Sequence, residues 1–270
     1  MDLQLGLVPV VDDGSTRLAL DRIASSLARS TGRACTVHRS RSPAQLCAAV
    51  DRGEANLVWS SPTAALSQPA LLGLVPVVTC VRQGVAHYHG VVFVDRRSSY
   101  FSLLDLKGAR AAWVAPTSAA GYIFPRVALA GNGLDPTALF AEERFCETHG
   151  AVVFEVLDGA LDVGATFAVF EGGDATKPLV RAGFVDLGRE DDVRVLLATP
   201  PIPSDFFAAA PALDRELGPL LARALHDVCD ELPDEFHQVF GADGLIDADR
   251  RHLAELRRQL DDARAMGVLE

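Results

Sequence analysis

Three groups of residues in this chain are of types that can do chemistry. His87-Tyr88-His89 carries two imidazoles two residues apart, which a strand would turn to the same face. Such a pair could start a zinc site, but zinc needs clustered Cys/His ligands and no third one stands nearby. A solvent-facing or hydrogen-bonded pair is the expectation. Glu142-Glu143 and Asp191-Asp192 are paired carboxylates, yet adjacent residues diverge on a helix and on a strand, so they read as solvated surface. Thr117-Ser118 lies between an apolar run and a helical pattern. A helix start offers unpaired N–H groups and a positive dipole end, which capture anions, and the two hydroxyls could add donors. The same pair also reads as an ordinary N-cap, and the segment by itself leaves both open.

No nucleotide-binding glycine pattern (G-x-x-x-x-G-K-[ST] or a strand-borne G-x-G-x-x-G) and no G-x-S-x-G elbow is present. Side-chain catalysis is not advertised, and no cofactor or metal is expected.

The elements that must position these residues alternate. Strand-like runs are Leu3–Pro9, Ala34–Val37, Leu57–Trp59, Val91–Val94, Ala109–Val114, Val163–Val169 and Val193–Ala198. Between them lie helical patterns: one opened by Gly14-Ser15-Thr16, one capped by Ser42 with Pro43 at its first position, and one opened by Ser61-Pro62. Pro116–Ala130 predicts one helix ended by Gly131 and Gly133, and Thr148 caps another through Leu157. The tail holds two longer helices, Pro211–Leu232 and Asp247–Ala265. This rhythm predicts an α/β fold with mostly parallel sheets covered by helices on both faces.

With 270 residues the chain has room for two domains, and its 49% hydrophobic content excludes intrinsic disorder. A net charge of −11 argues against nucleic acid, and no apolar run is long enough to span a bilayer. Five scattered cysteines without a CxxC pair read as reduced, mostly buried thiols. Met1-Asp2 runs straight into the first strand, so the sequence as given reads as cytoplasmic, or as extracytoplasmic if a leader has been removed.

Several short stretches, in order, resemble the phosphate/phosphonate-type substrate-binding proteins of ABC importers, which have the type 2 periplasmic-binding-protein fold. Leu103–Gly108 matches the family's "sLaDLKGk", Ser118–Tyr122 its "StSGY", and Phe145–His149 its "F-x-g-s-H". Gly159–Asp162 matches "G-x-v-D", Gly53–Trp59 "GevDlaw", and Thr199–Pro203 the returning "s-piP". The resemblance implies two lobes, residues 1–92 with 199–270 and residues 93–198, joined by a two-strand hinge with a ligand cleft between them. It implies that Thr117, Ser118, Ala119, Ala120, Gly121 and Tyr122 surround an oxyanion. Tyr88 would lie against the ligand from the first lobe, and His149 would reach it from the start of its own helix. Glu171 aligns loosely with an acidic residue that meets the amine of aminophosphonates, beside the plainer reading of a solvated loop carboxylate.

The implied function is non-catalytic capture of a phosphonate, phosphate or phosphite-like anion by a monomer that passes it to an ABC permease or a sensor partner. The alternative is an enzyme of the same fold, of the lyase or cofactor-biosynthesis type, acting on a small carboxylate or phosphate-bearing substrate. Two departures bear on the choice. Ala119 and Ala120 replace the family's Thr and Ser. At about 0.5–1.5 kcal/mol per hydrogen bond, more toward a charged acceptor, the loss is one to three powers of ten in phosphonate affinity. The segment Val10–Thr16 also lacks the tyrosine that relatives often place there.

Overall fold

The structure is a computed structural model that describes residues 1–8, 11–265, 267 and 268, with backbone only at 66, 67, 69, 72, 250, 252, 253, 255, 256 and 259. Pro9, at the end of the expected first strand, and Val10 lie outside the described residues.

In chain order the first segment runs β1 (Leu3–Leu7), α1 (Gly14–Thr31), β2 (Cys35–Arg39), α2 (Pro43–Asp51), β3 (Leu57–Ser60), α3 (Pro62–Ser67), α4 (Pro69–Leu72) and β4 (Val75–Val81). It is followed by β5 (His87–Asp95), β6 (Arg110–Trp113), α5 (Phe124–Gly131), α6 (Pro136–Leu139), β7 (Glu142–Phe145) and α7 (His149–Leu157). Then come β8 (Val163–Phe170), β9 (Leu179–Ala182), β10 (Val193–Ala198) and β11 (Ile202–Pro203). The chain ends with β12 (Phe206–Ala209), α8 (Pro211–Glu231), α9 (Pro233–Phe240), β13 (Gly244–Asp247) and α10 (Arg250–Ala265).

The chain divides into two compact units, Met1–Ala86 with Pro203–Leu253 and His87–Ile202 with Ala254–Glu270. Against the expected division, the first crossing falls between Ala86 and His87 and the second between Ile202 and Pro203. The C-terminal stretch from Ala254 groups with the second unit rather than the first.

In the first unit a six-stranded sheet has the order β13-β4-β12-β3-β1-β2. Alternation along β1 decides its faces: Leu3, Leu5 and Leu7 are fully buried beneath α1, α8 and α9, with Phe207, Phe236 and Phe240 completing that core. Each such leucine contributes about 1.5–3 kcal/mol by its burial. On the other face Gly6 lets α2 approach, because a Cβ there would stand 2.8 Å from Leu46 Cδ1 and 2.6 Å from Ala55 Cβ. Ser42 and Ser61 cap α2 and α3 as the sequence indicates, each accepting a backbone N–H three residues on. Burial pushes the thiols of Cys35 and Cys229 up to about 11 and that of Cys80 up to about 12, so these are unreactive packing groups.

The second unit holds a seven-stranded sheet built on the path β10-β5-β8-β6-β7, with β11 on β5 and β9 on β8. Strands β6, β7 and β8 run parallel to one another, while β5, β9 and β10 pair antiparallel. The first sheet is likewise parallel at β1–β2 and β1–β3 and antiparallel elsewhere. The α/β architecture of two helix-covered sheets therefore stands, but with mixed rather than mostly parallel pairing. Parallel pairs require a crossover of a dozen or more residues, and only the βα units provide one. Two cores flank this second sheet, one around Phe93, Val152 and Phe184 and one around Trp113, Leu129 and Ala165. Among the described residues no helix is long and apolar enough to cross a membrane.

Candidate functional site

Because β6, β7 and β8 are parallel, their C-terminal ends share one edge of the second sheet, and ligands of open α/β sheets bind beyond such an edge. Ser118 follows β6, His149 follows β7, and Glu171 follows β8. Since β5 is antiparallel to β8, its first residues lie at the same edge, with His89 opposite Ala168. That places Tyr88 there too, within the second unit rather than the first as expected. Topology therefore gathers four of the sequence-derived positions that lie far apart in the chain.

The turn after β6 differs from the single helix expected over Pro116–Ala130. Ser118 is an N-cap whose hydroxyl accepts the Gly121 N–H at 3.1 Å. A π-helical turn over Ala119–Ile123 follows, in which Phe124 N–H reaches back to Ala119 O, and α5 begins only then. Pro125, having no N–H, cannot supply the next rung of an α-helical ladder, so the chain widens here. Gly121 is required by space: a Cβ would stand 2.3 Å from Val114 Cγ2 and 2.8 Å from Ser118 Oγ. Its N–H is thus committed to Ser118 and not to a ligand, and the first-turn amides left without a helical acceptor belong to Ala119 and Ala120. Both alanines are buried, Thr117 is exposed, and Ser118 is half-buried. The Tyr122 ring packs edge-on to Trp113 and Phe145, at 5.7 and 5.1 Å between centroids, under the guanidinium of Arg126.

Glu143, expected as solvated surface, anchors this region. Its carboxylate accepts the Trp113 indole N–H at 2.7 Å and pairs with Arg126, whose Nε donates to Val268 O at 3.1 Å. Adjacent strands then bring the two helix starts side by side. Cys146 and Glu147 donate their N–H groups to the carbonyls of Trp113 and Val114, both at 2.8 Å. Thr148 caps α7 by accepting the Ala151 N–H, and His149 is the first residue of that helix.

The His149 ring packs edge-on to Phe167 at 5.0 Å, and its Nδ1 lies 3.0 Å from the hydroxyl of fully buried Thr166. Burial holds this imidazole below its ordinary pKa, against a smaller opposing pull from Asp186. The depressed pKa favours the neutral ring, without the positive charge a protonated one would bring. The direction of this bond follows the ring tautomer: when the Thr166 hydroxyl donates to Nδ1, Nε2 carries the proton and can donate to an anionic oxygen. Thr166 gave no sequence signal, since a threonine inside an apolar strand looks like β-propensity alone.

Glu171 is exposed and opens a short 3-10 turn, its N–H donating to Pro178 O at 2.9 Å. Among the described residues no group of three or more His, Cys, Asp or Glu is arranged to hold a metal.

A family model described as "ABC transporter, phosphonate, periplasmic substrate-binding protein" matches residues 5–253. No curated protein compared with the chain matches it. Among solved structures, XAC2383 from Xanthomonas citri bound to ATP is similar with a TM-score of 0.76 at 20% identity, covering 97% of this chain and 98% of that one. PhnD1 from Prochlorococcus marinus in complex with methylphosphonate has a TM-score of 0.63 at 15% identity, covering 99% and 98%. The periplasmic aliphatic sulphonate binding protein SsuA from Escherichia coli has a TM-score of 0.58 at 16% identity, covering 99% and 88%. At these identities the structural likenesses establish a shared fold, that of type 2 periplasmic binding proteins. The family match extends over nearly the whole chain, and the protein belongs to the phosphonate-type periplasmic substrate-binding proteins of ABC transporters.

Proposed function

We propose that this protein captures a small oxyanion, of the phosphonate, phosphate or phosphite class, and delivers it to an ABC permease. The observation that carries this reading is the shared sheet edge that gathers Ser118–Gly121, His149, Tyr88 and Glu171. The donors there are backbone amides at Ala119 and Ala120 and the Nε2 of a neutral His149. Such donors recognise oxyanions without a formal positive charge, because the helix start supplies partial positive charge of its own. The alanines leave the main chain, rather than hydroxyl side chains, to define the anion pocket. The methylphosphonate seen with PhnD1 and the ATP seen with XAC2383 both present phosphorus oxyanions, which supports the ligand class.

Tyr88 lies against the ligand. The protein works as a monomer outside the cytoplasm, the one of the two locations left open by the sequence that fits the family. Native mass spectrometry of the freshly purified protein tests the reading. A released phosphorus-containing anion supports it, and a bound neutral metabolite held at full occupancy contradicts it.

A further inference from the structure

The histidine pair at the start of β5 is not used by the anion site, yet both rings make hydrogen bonds. His89 is only 3% exposed, and both of its ring nitrogens face carbonyl oxygens: Nδ1 lies 2.7 Å from Thr199 O and Nε2 lies 3.2 Å from Gly173 O. His87 aims its Nε2 at the same Gly173 oxygen, at 2.9 Å, and its ring meets that of His89 edge-on at 5.8 Å. A carbonyl oxygen only accepts, and its two lone pairs can take two donors. His87 is satisfied as the neutral Nε2–H form. His89 satisfies both of its contacts only when both ring nitrogens carry protons.

The partners of this clamp are not incidental. Gly173 closes the 3-10 turn that Glu171 opens, and its φ of +76° together with a space filled by His87 excludes any side chain. Thr199 braces β5 a second and third time, its hydroxyl accepting the Gly90 N–H at 2.9 Å and its own N–H donating to Gly90 O at 2.8 Å. The charged or titratable neighbours are few. Asp174 lies on the loop side with its carboxylate in the electrostatic field of His89, Glu171 stands at the mouth of the same loop, and His87 lies beside it on β5. The Phe170 ring from β8 meets the His89 ring edge-on at 5.3 Å and contributes no charge, and the Thr199–Pro200 segment carries none.

We propose that His89 is a proton-dependent positioning residue, which in its doubly protonated form ties the Glu171–Gly173 turn to β5 and on losing a proton releases it. The shorter bond to Thr199 keeps the remaining proton, so the contact to Gly173 is the one given up, and His87 alone then holds the turn. The consequence for a ligand rests on the anion-binding reading: the edge that carries Glu171 is best ordered while both ring nitrogens of His89 are protonated.

The test uses the full chain without ligand, so it stands apart from the anion reading. Nitrogen-15 NMR of the imidazoles, between about pH 5 and 8, reads the ring protons, and hydrogen exchange reads the amides of Glu171, Asp174 and Lys177. Expected are two ring protons on His89 at the acidic end, loss of the Nε2 proton as pH rises, and protection of the three amides falling with it by about tenfold beyond the intrinsic pH effect. His89→Gln should show the low protection at every pH. His87→Gln, the second variant should the first fail to fold, should lower protection yet keep its pH dependence. A single ring proton on His89 throughout, protection independent of pH, or a pH dependence that disappears with His87 would each overturn the proposal. Failure of every oxyanion to bind while this behaviour persists would count against the anion site and not against the clamp.

Discussion

Ser118 closes the turn that it begins, its hydroxyl oxygen 3.1 Å from the Gly121 amide nitrogen. The residue that most resembles an anion ligand in the sequence is thus also the cap of the π-helical turn, and the two readings of Thr117-Ser118 are partly one. Replacing Ser118 by Ala should cost about 0.5–2 kcal/mol, the range for losing a Ser cap. Oxyanion affinity should fall with it, because the turn that presents Ala119 and Ala120 loosens. Urea denaturation and calorimetry on the same variant check both halves.

Gly121→Ala should be more severe. The added methyl would collide with Val114 and Ser118, and overpacking of this kind costs about 1–3 kcal/mol. A lowered midpoint of thermal unfolding with loss of ligand binding is expected, and a variant with wild-type stability would show that the turn is wider than described.

Glu143→Ala removes the partner of an Arg126 that is only 5% exposed, along with the acceptor of the Trp113 indole. Stranding one member of a buried pair costs about 3–5 kcal/mol, and the 33% exposure of the Glu143 side chain places this case at or below the lower end. Chemical denaturation should show a loss of about 2–3 kcal/mol, with Arg126→Met in the same background recovering part of it.

His149 gives a pH dependence of definite sign. Its folded pKa is depressed by burial below the unfolded value of 6.5. Above that value neither state binds the proton and no stability is lost. As pH falls below it the unfolded chain takes up a proton that the folded ring resists, so stability declines. The wild type should lose stability relative to His149→Gln between about pH 7.5 and 5.5, as measured by urea denaturation at both ends.

Much of this was readable in the residues. Ser42-Pro43, Ser61-Pro62 and Thr148 mark helix starts through local side-chain chemistry, and each caps the helix it precedes. Alternating apolar runs disclosed most of the strands, and Ser118 and Glu171 follow two of them. The strand β7 stayed hidden because all four of its residues are exposed, which leaves no apolar pattern. Strand direction was hidden too, since pairing partners such as β5 and β10 lie far apart in sequence. For the same reason Glu143 looked like surface and His87 and His89 like a generic pair. Their partners Arg126, Gly173 and Thr199 are brought to them by the fold.

Titration calorimetry with methylphosphonate, phosphate, phosphite and sulfate, on the wild type, Tyr88→Ala and His149→Ala, decides whether the protein binds an oxyanion through these residues. Saturable binding of at least one of these oxyanions by the wild type, weakened several-fold in both variants, is the expected result. Absence of saturable binding to every one of them by the folded wild type would rule out oxyanion capture at this sheet edge.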